Sequence, residues 1–169
     1  MQKLNRAEVE MILASGSSLA GSDLSEINLS WVDFSGSDMS SCDLRYTNLT
    51  GALLDSVNLT DSNMGAADLS SASLRKSTLK NVDLRWAILK DADFSDSDMQ
   101  GIGLLEANIS GAILRNANLS NGDLRRTDFS GASLLGANLS DSNLAMADLT
   151  NANTEGVSFD TCNTYGVKF

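Results

Sequence analysis

A large apolar residue returns every five positions from Leu19 to Leu149, twenty-seven times without a break. Leucine fills most of these central positions, and Phe34, Met39, Met64, Phe94, Met99, Ile109 and Phe129 fill others. A period of five fits neither the 3.6 of an α-helix nor the 2.0 of a β-strand, so no single regular element keeps these side chains on one face. The backbone therefore has to turn within every repeat.

The remaining positions say how it turns. Two residues before the central position the side chain is small or β-branched, as in Ile27, Val32, Cys42, Ala52, Val57, Ala67, Val82, Ala107 and Ala147. This position can also face inward. The slot between is mostly Asp or Asn, for example Asp23, Asn28, Asp38, Asn48, Asp68, Asp83, Asn108, Asn118, Asn138 and Asp148. Such short side chains bond to nearby backbone groups in turns. Eleven aspartates occupy the slot, yet Asn replaces Asp freely along it, which suits turn capping. Acid–base catalysis would instead require a defined ionisation at particular positions.

If each repeat forms one side of a four-sided coil, twenty residues close a turn and coils stack about 4.8 Å apart. The thirty-one repeats reaching Phe169 then give about seven to eight coils and a rod about 35 Å long. Leu19, Leu24, Leu29, Phe34, Met39, Leu84, Phe94 and Phe129 are among the residues predicted to fill it.

The runs Ala67-Asp68-Leu69, Ala107-Asn108-Ile109, Ala117-Asn118-Leu119, Ala137-Asn138-Leu139 and Ala147-Asp148-Leu149 resemble the pentapeptide-repeat family, and the resemblance extends over residues 17–169. It implies an all-β solenoid, a right-handed quadrilateral β-helix. It also implies, as one alternative, the behaviour of those members whose acidic rods mimic duplex DNA and bind or protect a type II topoisomerase such as gyrase. Other members are bacterial scaffolds with no assigned role. This chain has no inserted loop or C-terminal helix of the kind some topoisomerase-protecting members carry.

A solenoid end exposes apolar interior and unpaired backbone groups. At the start of the chain, Asn5 is placed to N-cap a helix with Glu8 three residues on, Leu4 and Val9 form a hydrophobic staple, and Gly16 ends it. The predicted helix covers residues 6–14, with Val9, Ile12 and Leu13 against the first coil, and residues 1–16 form a cap on a single β-helical domain of residues 17–169. Towards the other end Thr154 and Thr164 break the apolar pattern, while Val157, Phe159, Cys162, Val167 and Phe169 keep the register. Phe159, Tyr165, Val167 and Phe169 form a predicted homodimer end, since they leave apolar surface for a second copy.

Catalysis is not expected. The chain has no histidine, no phosphate-binding glycine loop and no nucleophile with an evident base. No cofactor or metal is expected either, because Cys42 and Cys162 lie six coils, about 29 Å, apart on the same inward face. A formal charge of −10 disfavours direct contact with nucleic acid or anionic lipid and favours a basic partner surface. No run of apolar residues approaches membrane-spanning length and no secretory leader is visible, so a cytoplasmic location is expected.

The charge is uneven. Residues 1–74 sum to −7, residues 75–126 to +1 and residues 127–169 to −4. Arg45, Arg85 and Arg125 recur at intervals of forty, on one face of every second coil. Tyr46, Ala66, Trp86 and Met146 share the adjoining outward column, whereas Trp31, Leu105 and Leu135 are isolated. Aromatic residues flanked by arginine are typical of interaction hot spots. The sequence thus predicts a non-catalytic scaffold that binds a protein partner through Tyr46, Trp86, Met146, Arg45, Arg85 and Arg125.

Overall fold

In a computed structural model of the protein, the described residues are 3–169, so Met1 and Gln2 of the predicted cap lie outside them. From Leu19 onward the backbone turns once per five residues. The N–H of the small inward residue reaches back to the carbonyl of the preceding central residue, as in Ala52 N to Leu49 O at 3.0 Å. The third residue of each such turn needs a left-handed conformation. Every one of these positions from Gly21 to Gly156 has it, including Trp31 (φ 63°), Tyr46 (φ 58°), Trp86 (φ 61°) and Met146 (φ 65°).

Four turns bring the chain back above itself. Asp23, Asp43, Asn63, Asp83, Gly103, Asp123, Asn143 and Asn163 are joined in one parallel ladder, each pair twenty residues apart. Each step uses two bonds of one pattern: Asp43 N donates to Ser22 O at 3.0 Å, and Leu24 N donates to Asp43 O at 2.7 Å. Because each side of the coil contributes only a short bridge before the next turn, the sheet is built between coils rather than along the chain. The Asp/Asn slot secures the turns. Asp33 Oδ1 accepts from Ser35 N at 2.9 Å and Asn48 Oδ1 from Thr50 N at 2.9 Å.

Both inward positions fill a continuous core. Leu19, Leu24, Leu29, Met39, Leu84, Phe94 and Phe129 are fully buried, and Phe34 nearly so. Some polar inward residues bond to the coil before them, as Thr47 Oγ1 does to Leu24 O at 2.6 Å and Thr127 Oγ1 to Leu104 O at 2.8 Å. Ser97 and Ser142 bond within their own turns, and the Ser37 hydroxyl has no partner among the described residues.

One helix, α1 (Arg6–Ala14), lies at the start. Glu8 N donates to Asn5 Oδ1 at 3.1 Å while Asn5 N donates to Glu8 Oε2 at 2.8 Å, a reciprocal capping box. At its other end Gly16 N bonds to Leu13 O and Ser17 N to Ile12 O, and Gly16 takes φ 69°, the Schellman arrangement. Nine residues are too few for a stable isolated helix, so packing has to hold it. Val9 is fully buried in the common core, with Leu4, Ile12 and Leu13 packed against it. Towards Phe169 burial declines: Val157, Phe159, Cys162 and Val167 are half-buried, Phe169 is 71% exposed, and Phe159 meets Phe169 edge-on at 5.6 Å.

Candidate protein-binding corner

Stepping by twenty places Ser25, Arg45, Gly65, Arg85, Leu105, Arg125, Ala145 and Tyr165 along one corner of the coil, with Glu26, Tyr46, Ala66, Trp86, Glu106, Arg126, Met146 and Gly166 beside them. This ridge carries Tyr46 (65% exposed), Trp86 (55%), Met146 (54%) and Tyr165 (77%), four of the largest exposed apolar side chains in the described residues. Left-handed geometry disfavours bulky side chains, and glycine meets it most easily. Local backbone preference therefore does not account for an indole and a phenol at these turns.

The arginines are fixed. Arg45 forms two bonds to Asp43 (Nε to Oδ1 2.9 Å, Nη2 to Oδ2 2.6 Å), and Arg85–Asp83 and Arg125–Asp123 repeat the arrangement. Their guanidinium hydrogen bonds are the leading reason that Asp43 and Asp123 titrate below the usual carboxylate range. At Asp83 desolvation raises the pKa, but the Arg85 bonds outweigh it and the net direction is downward. Trp86 is held from two sides: the Arg85 guanidinium lies 5.5 Å from its ring centroid, and its Nε1 donates to Glu106 Oε2 at 3.1 Å. Arg126 Nη1 completes the chain to Glu106 Oε1 at 3.0 Å.

Two clefts interrupt the ridge. One, about 230 Å³, lies between Tyr46 and Trp86 over Gly65 and Ala66. The other, about 330 Å³, is walled by Leu105, Glu106, Arg125, Arg126, Met146 and Tyr165 over Ala145. Among the described residues no group of three or more acidic, Cys or His side chains could hold a metal ion. No helix of the described residues is long and apolar enough to cross a membrane.

The family model for pentapeptide repeats matches eight copies lying between residues 15 and 156. The chain belongs to the pentapeptide repeat family. Among solved structures it is similar to HetL, a pentapeptide repeat protein involved in heterocyst differentiation regulation from the cyanobacterium Nostoc. The TM-score is 0.63 at 28% identity, over 98% of this chain and 77% of HetL. It also matches a pentapeptide repeat protein of the Arabidopsis thaliana thylakoid lumen (TM-score 0.41, 26% identity, 63% of this chain and 70% of that one). A third match is QnrB1, a plasmid-mediated fluoroquinolone resistance protein (TM-score 0.43, 19% identity, 90% and 82%). None of the curated proteins matches the chain by sequence.

The pentapeptide repeat geometry sorts the residues singled out from the sequence. Tyr46, Trp86 and Met146 share the ridge with Arg45, Arg85 and Arg125. Leu105, read from the sequence as isolated, instead sits on this corner between Arg85 and Arg125 and is half-buried in the second cleft. Tyr165, grouped by sequence with the chain's last coil, also lines that cleft. Both placements follow from counting in twenties rather than fives. Val167 is half-buried and Phe159 and Phe169 contact each other. Trp31 stands on a different corner, with its ring over Gly51, where a Cβ would overlap it. Cys42 is buried, and desolvation pushes its thiol up to about 11. Cys162 is half-buried and unpaired with it.

Proposed function

We propose that this protein is a non-catalytic scaffold that recognises a protein partner through the Arg45–Tyr46 and Arg85–Trp86 corner. The observation that carries this reading is the pre-set indole of Trp86, exposed yet held by both Arg85 and Glu106. An anchor already ordered in the free protein loses little side-chain entropy on binding, and aromatic and arginine residues dominate measured hot spots. The likeness to HetL, a protein involved in regulation, supports a binding role over an enzymatic one. The architecture behind this reading is a right-handed four-sided coil of seven to eight turns over residues 17–169, with residues 1–16 as its cap.

An acidic duplex mimic would present carboxylates free of cations. Along this corner Asp43, Asp83, Asp123 and Glu106 each carry an arginine, which favours the scaffold over the topoisomerase alternative. A cytoplasmic site of action fits an unpaired Cys42 and Cys162.

Affinity capture with the wild-type chain and the Trp86→Ala variant, compared by quantitative mass spectrometry, tests the proposal. A partner recovered by wild type should fall at least about tenfold with Trp86→Ala while circular dichroism stays unchanged. Equal recovery by both would overturn this corner as the contact.

A second reading rests on the exposed apolar side chains of Phe169 (71%) and Tyr165 (77%) and the half-buried Phe159 and Val167. These residues form a homodimer seam, and light scattering on a dilution series should give twice 17.9 kDa. A monomer at every concentration would remove it.

A further inference from the structure

The corner has a second period, longer than the coil. In the column of Arg45, exposed side chains project at Arg45, Arg85, Arg125 and Tyr165, forty residues apart, while Gly65, Leu105 and Ala145 between them are half-buried. In the adjoining column Tyr46, Trp86, Glu106, Arg126 and Met146 are exposed and Ala66 is half-buried. Forty residues are two coils, so the teeth repeat at about 9.6 Å. The two clefts have floors at Gly65 and Ala145, four coils or about 19 Å apart along the same edge.

A polyproline II helix rises about 3.1 Å per residue with three residues per turn, a repeat of about 9.3 Å. Two of its turns span about 18.6 Å. The mismatch with the two clefts is then under about 1 Å, well within the play of exposed side chains. An extended β-strand, whose same-face repeat is about 6.6 to 6.8 Å, falls out of step after one tooth. The α-helical pitch of about 5.4 Å fits no better.

Charge selects in the same direction. Each arginine of the ridge is paired: Arg45 with Asp43, Arg85 with Asp83, Arg125 with Asp123 and Arg126 with Glu106. Glu26 is paired with Lys3. The ridge is therefore a locally neutral strip on a chain of net charge −10. A neutral strip with aromatic teeth is complementary to a neutral partner with apolar ring faces and pre-set backbone. Proline-rich segments dock in aromatic-lined grooves on these terms, because their preformed helix has little entropy left to lose.

We propose that this corner takes a proline-rich segment of a partner protein in the polyproline II conformation, with prolines about six residues, two turns, apart seated in the clefts beside Tyr46 and Trp86 and beside Met146 and Tyr165. This rests on the partner-binding role of the corner proposed above.

The probe is fluorescein-labelled decaproline, with a glycine–serine decapeptide carrying the same label as control, read by fluorescence anisotropy. Saturable binding of decaproline alone is expected, weakened at least about tenfold by Trp86→Ala and by Ala66→Arg, which fills the first cleft. Both variants should retain the wild-type circular dichroism; should either unfold, Tyr46→Ala provides the same reading from the opposite wall. No binding of decaproline, equal binding of the control peptide, or binding indifferent to these substitutions would overturn the proposal. The two levels separate in the capture experiment. A partner lost with Trp86→Ala but not displaced by excess decaproline refutes the proline-rich occupant and leaves the corner as the contact.

Discussion

The indole Nε1 of Trp86 donates a hydrogen bond to Glu106 Oε2, 3.1 Å away and one coil above. Glu106 in turn accepts from Arg126 on the next coil, so three successive coils set the orientation of one exposed aromatic ring. Replacing Glu106 by alanine should free the indole without touching the core. Time-resolved anisotropy in a Trp31→Phe background, where Trp86 is the remaining tryptophan, should show faster local motion with an unchanged melting temperature. Unchanged indole motion would show that Arg85 stacking alone fixes the ring.

Leu84 is fully buried midway along the coil. Leu84→Ala should cost about 2–5 kcal/mol, the usual range for deleting a buried leucine side chain. Leu84→Asp would place a charge with no partner in the same space and break the contact between neighbouring coils, so urea unfolding should lose its single cooperative transition. A melting curve like that of the wild type would contradict the burial of this side chain.

Gly51 sits at φ 64° beneath the Trp31 ring. Gly51→Ala forces the exposed indole aside and places a Cβ in left-handed geometry, at a cost of about 1–2 kcal/mol. In a Trp31→Ala background the steric part disappears, so the same substitution should cost less. A double-mutant cycle by urea denaturation checks the coupling; additive costs would show that the two residues do not touch.

Several carboxylates titrate below their ordinary value because they accept hydrogen bonds while ionised. Asp33 is held by Ser35, Asp43 by Arg45, and Asp148, with Thr150 and then Lys168, falls to about 2. A folded-state pKa below the unfolded one gives stability that is present above about pH 4 and lost as the pH falls through the folded value. The melting temperature should therefore be flat from neutral pH to about pH 5 and decline below about pH 4. Asp33→Asn keeps an oxygen acceptor for the Ser35 N–H and should flatten its share of the acid loss. An acid profile identical to that of the wild type would show that Asp33 does not contribute.

Cys42 is buried with its thiol pKa raised to about 11, whereas Cys162 is only half-buried. At pH 8 the native protein should release about one equivalent of chromophore from a disulfide reagent, and two after denaturation. Rapid reaction of both thiols in the native state would show that the coil around Cys42 opens readily.

Much of this molecule was written in its repeat. The apolar residue every fifth position fixes which side chains face inward, from Leu19 to Leu149, because each short turn must return one large side chain to the same interior. The cap signals at Asn5, Glu8 and Gly16 are equally local, and α1 has the bounds they imply. Counting in twenties also places Tyr46, Trp86, Leu105 and Tyr165 on one corner, since a constant coil carries each residue to a fixed height and face. Pairing is another matter. That Arg45 closes on Asp43 rather than standing free, that Trp31 covers Gly51, and that Glu106 joins Trp86 to Arg126 depend on which rotamers neighbouring coils allow. The sequence alone determined the backbone path and the core, because both follow from a repeated local turn. Only the tertiary structure decided which surface charges were neutralised and which aromatic rings were held ready, because those depend on side-chain rotamers and on contacts between coils, both for pairs two residues apart such as Arg45 and Asp43 and for pairs twenty apart such as Trp86 and Glu106.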